Sequence, residues 1–179
     1  MGVALLVIDV QRALCEGESA TFEADRVIER INAVAARARA AGAPVVFVQH
    51  ETADGDFRHG GEGWQLARGL EVRPDDVLVR KTATDSFHRT ELAAVLERLG
   101  VTSLAVCGMQ SDFCVDTTTR RALALGYPVQ LIADGHTTFD NGVLPAALIT
   151  RHHTATLTNI TSFGVRAVAV TAAEVVFDR

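Results

Sequence analysis

Short, wholly apolar runs alternate along this chain with longer stretches in which apolar residues recur every three or four positions. The runs Val3–Ile8, Val45–Val48, Val77–Val79, Leu104–Cys107, Val129–Ile132 and Ala167–Val170 are too continuous for strands with one wet face. They predict strands covered on both sides. Val27, Ile28, Ile31, Val34, Ala35 and Ala38 share one side of a helix, which Gly42 and Pro44 stop. Leu92, Val95, Leu96 and Leu99 predict a second helix ended by Gly100, and Asp112–Leu125 reads as a third, closed by Gly126. Pro145 suits the first turn of another helix toward Thr156, and Thr171-x-x-Glu174 reads as a capping box opening a terminal helix.

Repeated strand–helix alternation implies right-handed crossovers and parallel pairing. The expected fold is therefore a three-layer α/β/α sandwich around a mainly parallel, Rossmann-like sheet of about six strands. With no linker, repeat or charge block, residues 1–179 read as one domain. The longest irregular piece runs from about His50 to Pro74 and contains Gly55, Gly60, Gly61, Gly63 and the only tryptophan, Trp64. Such a length predicts a lid or binding loop.

Hydrophobic residues make up 48% and charged residues 22%, values of a folded globular chain, so a disordered reading falls away. The net charge of −5 and the scattered basic residues leave no stripe for nucleic acid or an anionic membrane. The apolar run at Val3–Ile8 is too short for a membrane span. Three cysteines, Cys15, Cys107 and Cys114, cannot make a disulfide framework and fit a reducing compartment, the cytoplasm. Small molecules remain the expected partners.

Open parallel sheets bind ligands at the carboxyl ends of their strands. Polar clusters stand there: Asp9 and Gln11; Gln49, His50 and Glu51; Arg80 and Lys81; Gly108 through Cys114; and Asp134 through Thr138. Cys114 falls at the start of a predicted helix, where free N–H groups favour a thiolate. Lys81 would lower the thiol pKa further, and Asp9 could shuttle its proton. Taken alone, Cys114 reads equally well as a small buried hydrophobe. The coincidence of three such groups at three strand ends favours chemistry.

These residues give the chain a resemblance to the isochorismatase-like cysteine hydrolases. It rests on Leu6-Val7-Ile8-Asp9-Val10-Gln11, on Arg80-Lys81 leading to Ser86-Phe87, and on Cys107-Gly108-Met109-Gln110-Ser111-Asp112-Phe113-Cys114-Val115-Asp116. The last block is similar to the streptothricin-hydrolase-like branch, whose members open a lactam. The resemblance implies an Asp9, Lys81, Cys114 triad and a cis Met109–Gln110 peptide. It also implies an oxyanion hole made by the N–H groups of Gln110 and Cys114. The presence of the cysteine favours C–N hydrolysis over vinyl-ether cleavage. A homo-oligomer, dimer or tetramer, is implied as well, with Ile160, Phe163 and Val165 as the sequence's hint of a contact.

The expected activity is thus cysteine-dependent hydrolysis of a small amide, lactam or ureido compound through a thioester. Trp64, Phe87, Phe113, His136 and Thr137 are the candidate substrate contacts, each of which reads equally as packing. Family members that use a metal carry an Asp-x-His cluster where this chain has Gln49-His50-Glu51, so neither metal nor other cofactor is expected. His50, Glu51, His59 and the pair His152-His153 show no zinc spacing. The competing reading is a catalytically weak relative that binds or scaffolds small molecules.

Overall fold

The computed structural model describes residues 2–18 and 20–177. Six parallel strands, β1 (Gly2–Ile8), β2 (Val45–His50), β3 (Val77–Lys81), β4 (Val101–Met109), β5 (Val129–Thr137) and β6 (Ala167–Val170), form one sheet in the order β3-β2-β1-β4-β5-β6. The direction of winding reverses between β1 and β4, which places the crevice of a doubly wound sheet above their carboxyl ends.

One sheet face buries Val7, Phe47 and Ala105 under α2 (Ala24–Ala40), whose Ile28, Ile31 and Val34 form the predicted stripe. The other buries Leu6, Ile8, Val46, Val48, Leu104 and Val106 beneath α3 (Leu92–Arg98), α4 (Asp116–Ala124) and α5 (Ala146–Thr158). Both faces are covered, which is why the strands read as continuous apolar runs. The three-layer parallel architecture follows the sequence pattern.

Four details depart from it. A single helical turn, α1 (Arg12–Cys15), stands where no element was predicted. The third predicted helix begins instead as a π-helical turn, Ser111–Val115, in which the Val115 N–H donates to the Gln110 carbonyl, and becomes α-helical only at Asp116. Strand β5 runs on to Thr137, well beyond the predicted Ile132. The Thr171 capping contacts form, since the Thr171 N–H and hydroxyl both donate to Glu174, but only a turn follows. There the Ala172 N–H donates to Asp134, Val175 is buried, and Val176 exchanges two hydrogen bonds with the Gln130 side chain. These contacts hold the chain extended along β5 and stop a helix.

Gly108 lets β4 reach its end beside β1. Its φ is +115°, and a Cβ there would stand 2.1 Å from the Ile8 carbonyl oxygen. Only glycine allows that approach. Of the hinted contact residues, Ile160 and Val165 pack against the core and Phe163 is exposed.

Candidate active site

Asp9 follows β1 in the left-handed region (φ 50°), a conformation that aspartate tolerates better than most residues. Lys81 ends β3, and Cys114 lies in the π-helical turn after β4. The three side chains converge. The Lys81 Nζ donates to Asp9 Oδ2 at 2.7 Å, to Cys114 Sγ at 3.2 Å and to the Ala83 carbonyl at 3.0 Å. Three bonds exhaust the donors of an ammonium group. Lys81 and Asp9 are almost wholly buried, and Cys114 is 9% exposed. Asp9 Oδ1 is buried with no hydrogen-bond partner among the described residues, so one carboxylate oxygen remains free for work.

The cavity above them has a volume of about 150 Å³ and is lined by Asp9, His50, Phe57, Gln110, Phe113 and Cys114, with Leu14 and Thr84. The Met109–Gln110 peptide is cis. The Gln110 N–H finds no hydrogen-bond partner among the described residues and is thus available to a ligand.

The electrostatics correct one expectation. The thiol of Cys114 is pushed up to about 12, by burial first and by the Asp9 carboxylate second, with Lys81 pulling the other way. The sequence suggested a lowered value because it reveals Lys81 and the helix start but neither the depth of burial nor the proximity of Asp9. Burial and the Asp9 charge thus favour the neutral Cys114 thiol over its thiolate. Cys15 is also pushed up to about 12 by burial, and Cys107 is raised by burial too.

The aromatic and β5 candidates fare unevenly. Phe113, half exposed, borders the cavity. Phe87 does not: it is buried in the core, stacked on Tyr127 with ring centres 6.1 Å apart. Trp64 packs edge-on against His59 at 4.8 Å and contributes its carbonyl to the loop's anchoring rather than its ring to the cavity. His136 and Thr137 are buried within the extended β5, bonded to Ser111 and to the Phe22 carbonyl respectively. Neither lines the cavity above Cys114; both border a separate one of about 190 Å³, with Phe22 and Thr150.

The sequence missed Phe57, Leu14 and Thr84 as lining residues. It noted His50 without giving it a role. The His50 ring lies 3.4 Å from Lys81 Nζ and edge-on to Phe57, and burial and Lys81 lower its pKa. Glu51 turns the other way to pair with Arg80 at 3.5 Å. Among the described residues no three His, Cys, Asp or Glu side chains gather as a metal site would require.

A buried acid–lysine–cysteine cluster at the switch point of a doubly wound sheet defines a class of enzyme-like α/β folds, and the comparisons specify it. Residues 3–173 match the isochorismatase domain. The chain belongs to the isochorismatase-like hydrolase family. Two streptothricin hydrolases of Streptomyces noursei are 48% and 45% identical to it over 146 residues, 80% of this chain. The chain spans about half the length of those relatives, 51% and 56%. The structure of an isochorismatase from Pseudomonas putida superposes with a TM-score of 0.87 at 30% identity, covering 97% of this chain and 90% of that one.

Proposed function

We propose that the chain is a cysteine-dependent amidohydrolase that cleaves the C–N bond of a small amide, lactam or ureido compound. The observation that carries this reading is the single Lys81 ammonium bonded to both Asp9 and Cys114 beneath an open cavity. The relatives named streptothricin hydrolases support the choice of a C–N bond.

In the proposed reaction, the Cys114 thiol gives its proton to Asp9 as sulfur attacks the carbonyl carbon, with Lys81 holding the thiolate as it forms. The Gln110 and Cys114 N–H groups receive the developing oxyanion, a contribution of about 3 kcal/mol per donor in a preorganised site. Asp9 then protonates the departing nitrogen, and the C–N bond breaks to leave a thioester on Cys114. Water loses a proton to Asp9 and attacks the thioester. Collapse releases the acid, and the sulfur recovers its proton. Every proton passes through one carboxylate, which borders the cavity and keeps Oδ1 without a hydrogen-bond partner among the described residues.

A cavity of about 150 Å³ has the volume of roughly five liquid waters. That is room for the reacting group and a small ring, so any larger portion of a substrate extends past the exposed Phe113 toward solvent. No helix among the described residues is long and apolar enough to cross a membrane. The unpaired cysteines support a reducing compartment such as the cytoplasm. The adjacent exposed Val143, Leu144 and Leu148 support self-association, which light scattering tests.

The function is tested by screening amides, lactams and carbamoyl compounds for acid and amine release, then repeating the active cases with Cys114→Ser. The variant is expected to fold and to lose all measurable turnover, while wild-type protein quenched in acid carries the acyl mass on Cys114. Retention of more than about a tenth of the activity by the serine variant refutes covalent catalysis.

A further inference from the structure

His136 is a buried titratable group that the proposed chemistry does not use. Its Nδ1 lies 2.7 Å from Ser111 Oγ and its Nε2 3.0 Å from Thr154 Oγ1. Ser111 Oγ is also 3.0 Å from Thr150 Oγ1, and Thr154 Oγ1 donates to the Thr150 carbonyl at 2.8 Å. Thr150 and Thr154 stand one turn apart on α5.

Counting protons fixes the direction of every bond. The Thr154 hydroxyl spends its one proton on the Thr150 carbonyl, so its oxygen must accept from His136 Nε2–H. Burial pushes the His136 pKa down to about 4, so the ring is neutral and its Nδ1 is a bare acceptor. Ser111 must therefore donate to Nδ1, and its oxygen accepts from the Thr150 hydroxyl. The result is a closed circuit in which no buried donor or acceptor is left over. Ser111 is the first residue of the π-helical turn and stands between Gln110 and Cys114. The circuit holds that turn from behind, against α5 and β5.

We propose that His136 is a positioning residue: by accepting from Ser111 it fixes the turn that sets the Cys114 sulfur against Lys81 and aims the Gln110 and Cys114 N–H groups. This inference rests on the reading of Cys114 as the nucleophile and deepens it. His136 does not line the catalytic cavity, so it acts through Ser111 and never touches substrate. A displacement of the nucleophile on the order of 1 Å is enough to cost about 100-fold in rate.

Two near-isosteric substitutions separate positioning from packing. His136→Asn sets its Oδ1 close to the place of Nδ1 and keeps the bond from Ser111 while losing Thr154. His136→Gln sets its Nε2 close to the ring Nε2 and keeps Thr154 while leaving Ser111 without its acceptor. Each removes one buried hydrogen bond, so the losses in Tm should be comparable. The readouts are kcat, KM and the pH profile of Cys114 alkylation by iodoacetamide, the last taken without substrate. The Gln variant is expected to lose about 10–100-fold in kcat with KM within about threefold, and to displace the alkylation profile. The Asn variant is expected to keep at least about ten times the kcat of the Gln variant and a profile close to wild type.

Parallel losses in both variants that track Tm overturn the proposal, as does a Gln variant with wild-type kcat and alkylation. Should either variant fail to fold, Ser111→Ala deletes the same contact from the other side. It is expected to behave as the Gln variant, and wild-type kcat and alkylation in it overturn the proposal equally. If Cys114→Ser retains turnover, the functional reading falls. The alkylation contrast between Asn and Gln still decides whether His136 sets the turn.

Discussion

Replacing Asp9 by Asn separates the effect that the structure gives this carboxylate, raising the thiol pKa at rest, from the role proposed for it, carrying protons in turnover. Asparagine preserves the shape and removes the charge. Lys81 then loses its counter-ion at 2.7 Å and keeps only the sulfur, 3.2 Å away, as a candidate anion. At an effective dielectric of about 20, a unit charge at that distance favours the thiolate by ~5 kcal/mol, or ~4 pKa units. In the intact site Asp9 opposes this pull, and burial adds to the opposition, which together hold the thiol up at about 12. Asp9 Oδ2 and Cys114 Sγ share the Lys81 Nζ and so lie within about 6 Å of each other, where a carboxylate charge disfavours the thiolate by ~3 kcal/mol. With Asp9 neutral, the thiol pKa should fall by about 2 units and the thiolate fraction near neutral pH rise by about two decades. A less basic thiolate is also a weaker nucleophile, which returns about one of those decades.

Iodoacetamide should therefore label Cys114 about 10-fold faster in the Asn variant than in wild type, while turnover falls by about 10²–10⁴. Peptide mapping confirms the site, because Cys15 and Cys107 are only 5% and 0% exposed. The signature is opposite movement of the two rates. An alkylation rate that is unchanged or slower in Asp9→Asn would refute the electrostatic account of the resting thiol.

Lys81→Met leaves the Asp9 charge buried and uncompensated and should cost about 3–5 kcal/mol in urea unfolding. Adding Asp9→Asn to it should recover part of that loss, and a double variant no more stable than the single one argues against a charged pair. His136, neutral in the fold with a pKa near 4 against 6.5 when unfolded, makes the unfolded chain bind the extra proton between those values. Stability should accordingly be full above about pH 6.5 and decline by up to ~3 kcal/mol as pH falls to about 4, a slope that His136→Gln should abolish. Gly108→Ala should cost about 3–5 kcal/mol through the clash with Ile8 and the positive φ, measured by the shift of the urea midpoint.

The sequence exposed what backbone periodicity and strand ends dictate. Asp9, Lys81 and Cys114 were legible because each closes an apolar run or opens a helix, and a parallel sheet brings such ends to one rim. Phe113 followed from its place beside Cys114. The failures share a different cause. His136 and Thr137 looked like rim residues because the apolar run stops at Ile132, yet β5 continues through polar residues whose hydroxyls and imidazole bond inside the protein. Phe87 faces the core because Tyr127, forty positions on, offers it a ring to stack against. Phe57 reaches the cavity through a loop whose path is set by distant contacts and carries no local signal. The thiol's raised pKa depends on burial, which is a property of the assembled fold.

The side-chain amide of Gln11, two residues beyond the proposed base, donates to both the His50 and Trp64 carbonyls and accepts from the His50 N–H. One peg just beyond the end of β1 thus clasps both ends of residues 51–63, the stretch that brings Phe57 to the cavity. Because the stretch leaves and rejoins the protein at one point, its interior can lengthen, shorten or change sequence without shifting the groups that do the chemistry. Doubling a flexible loop costs only about 0.6 kcal/mol of closure entropy. The consequence is a modular wall: the side of the cavity that carries Phe57 is exchangeable as a cassette, and Asp9 beside its fastening stays where it is.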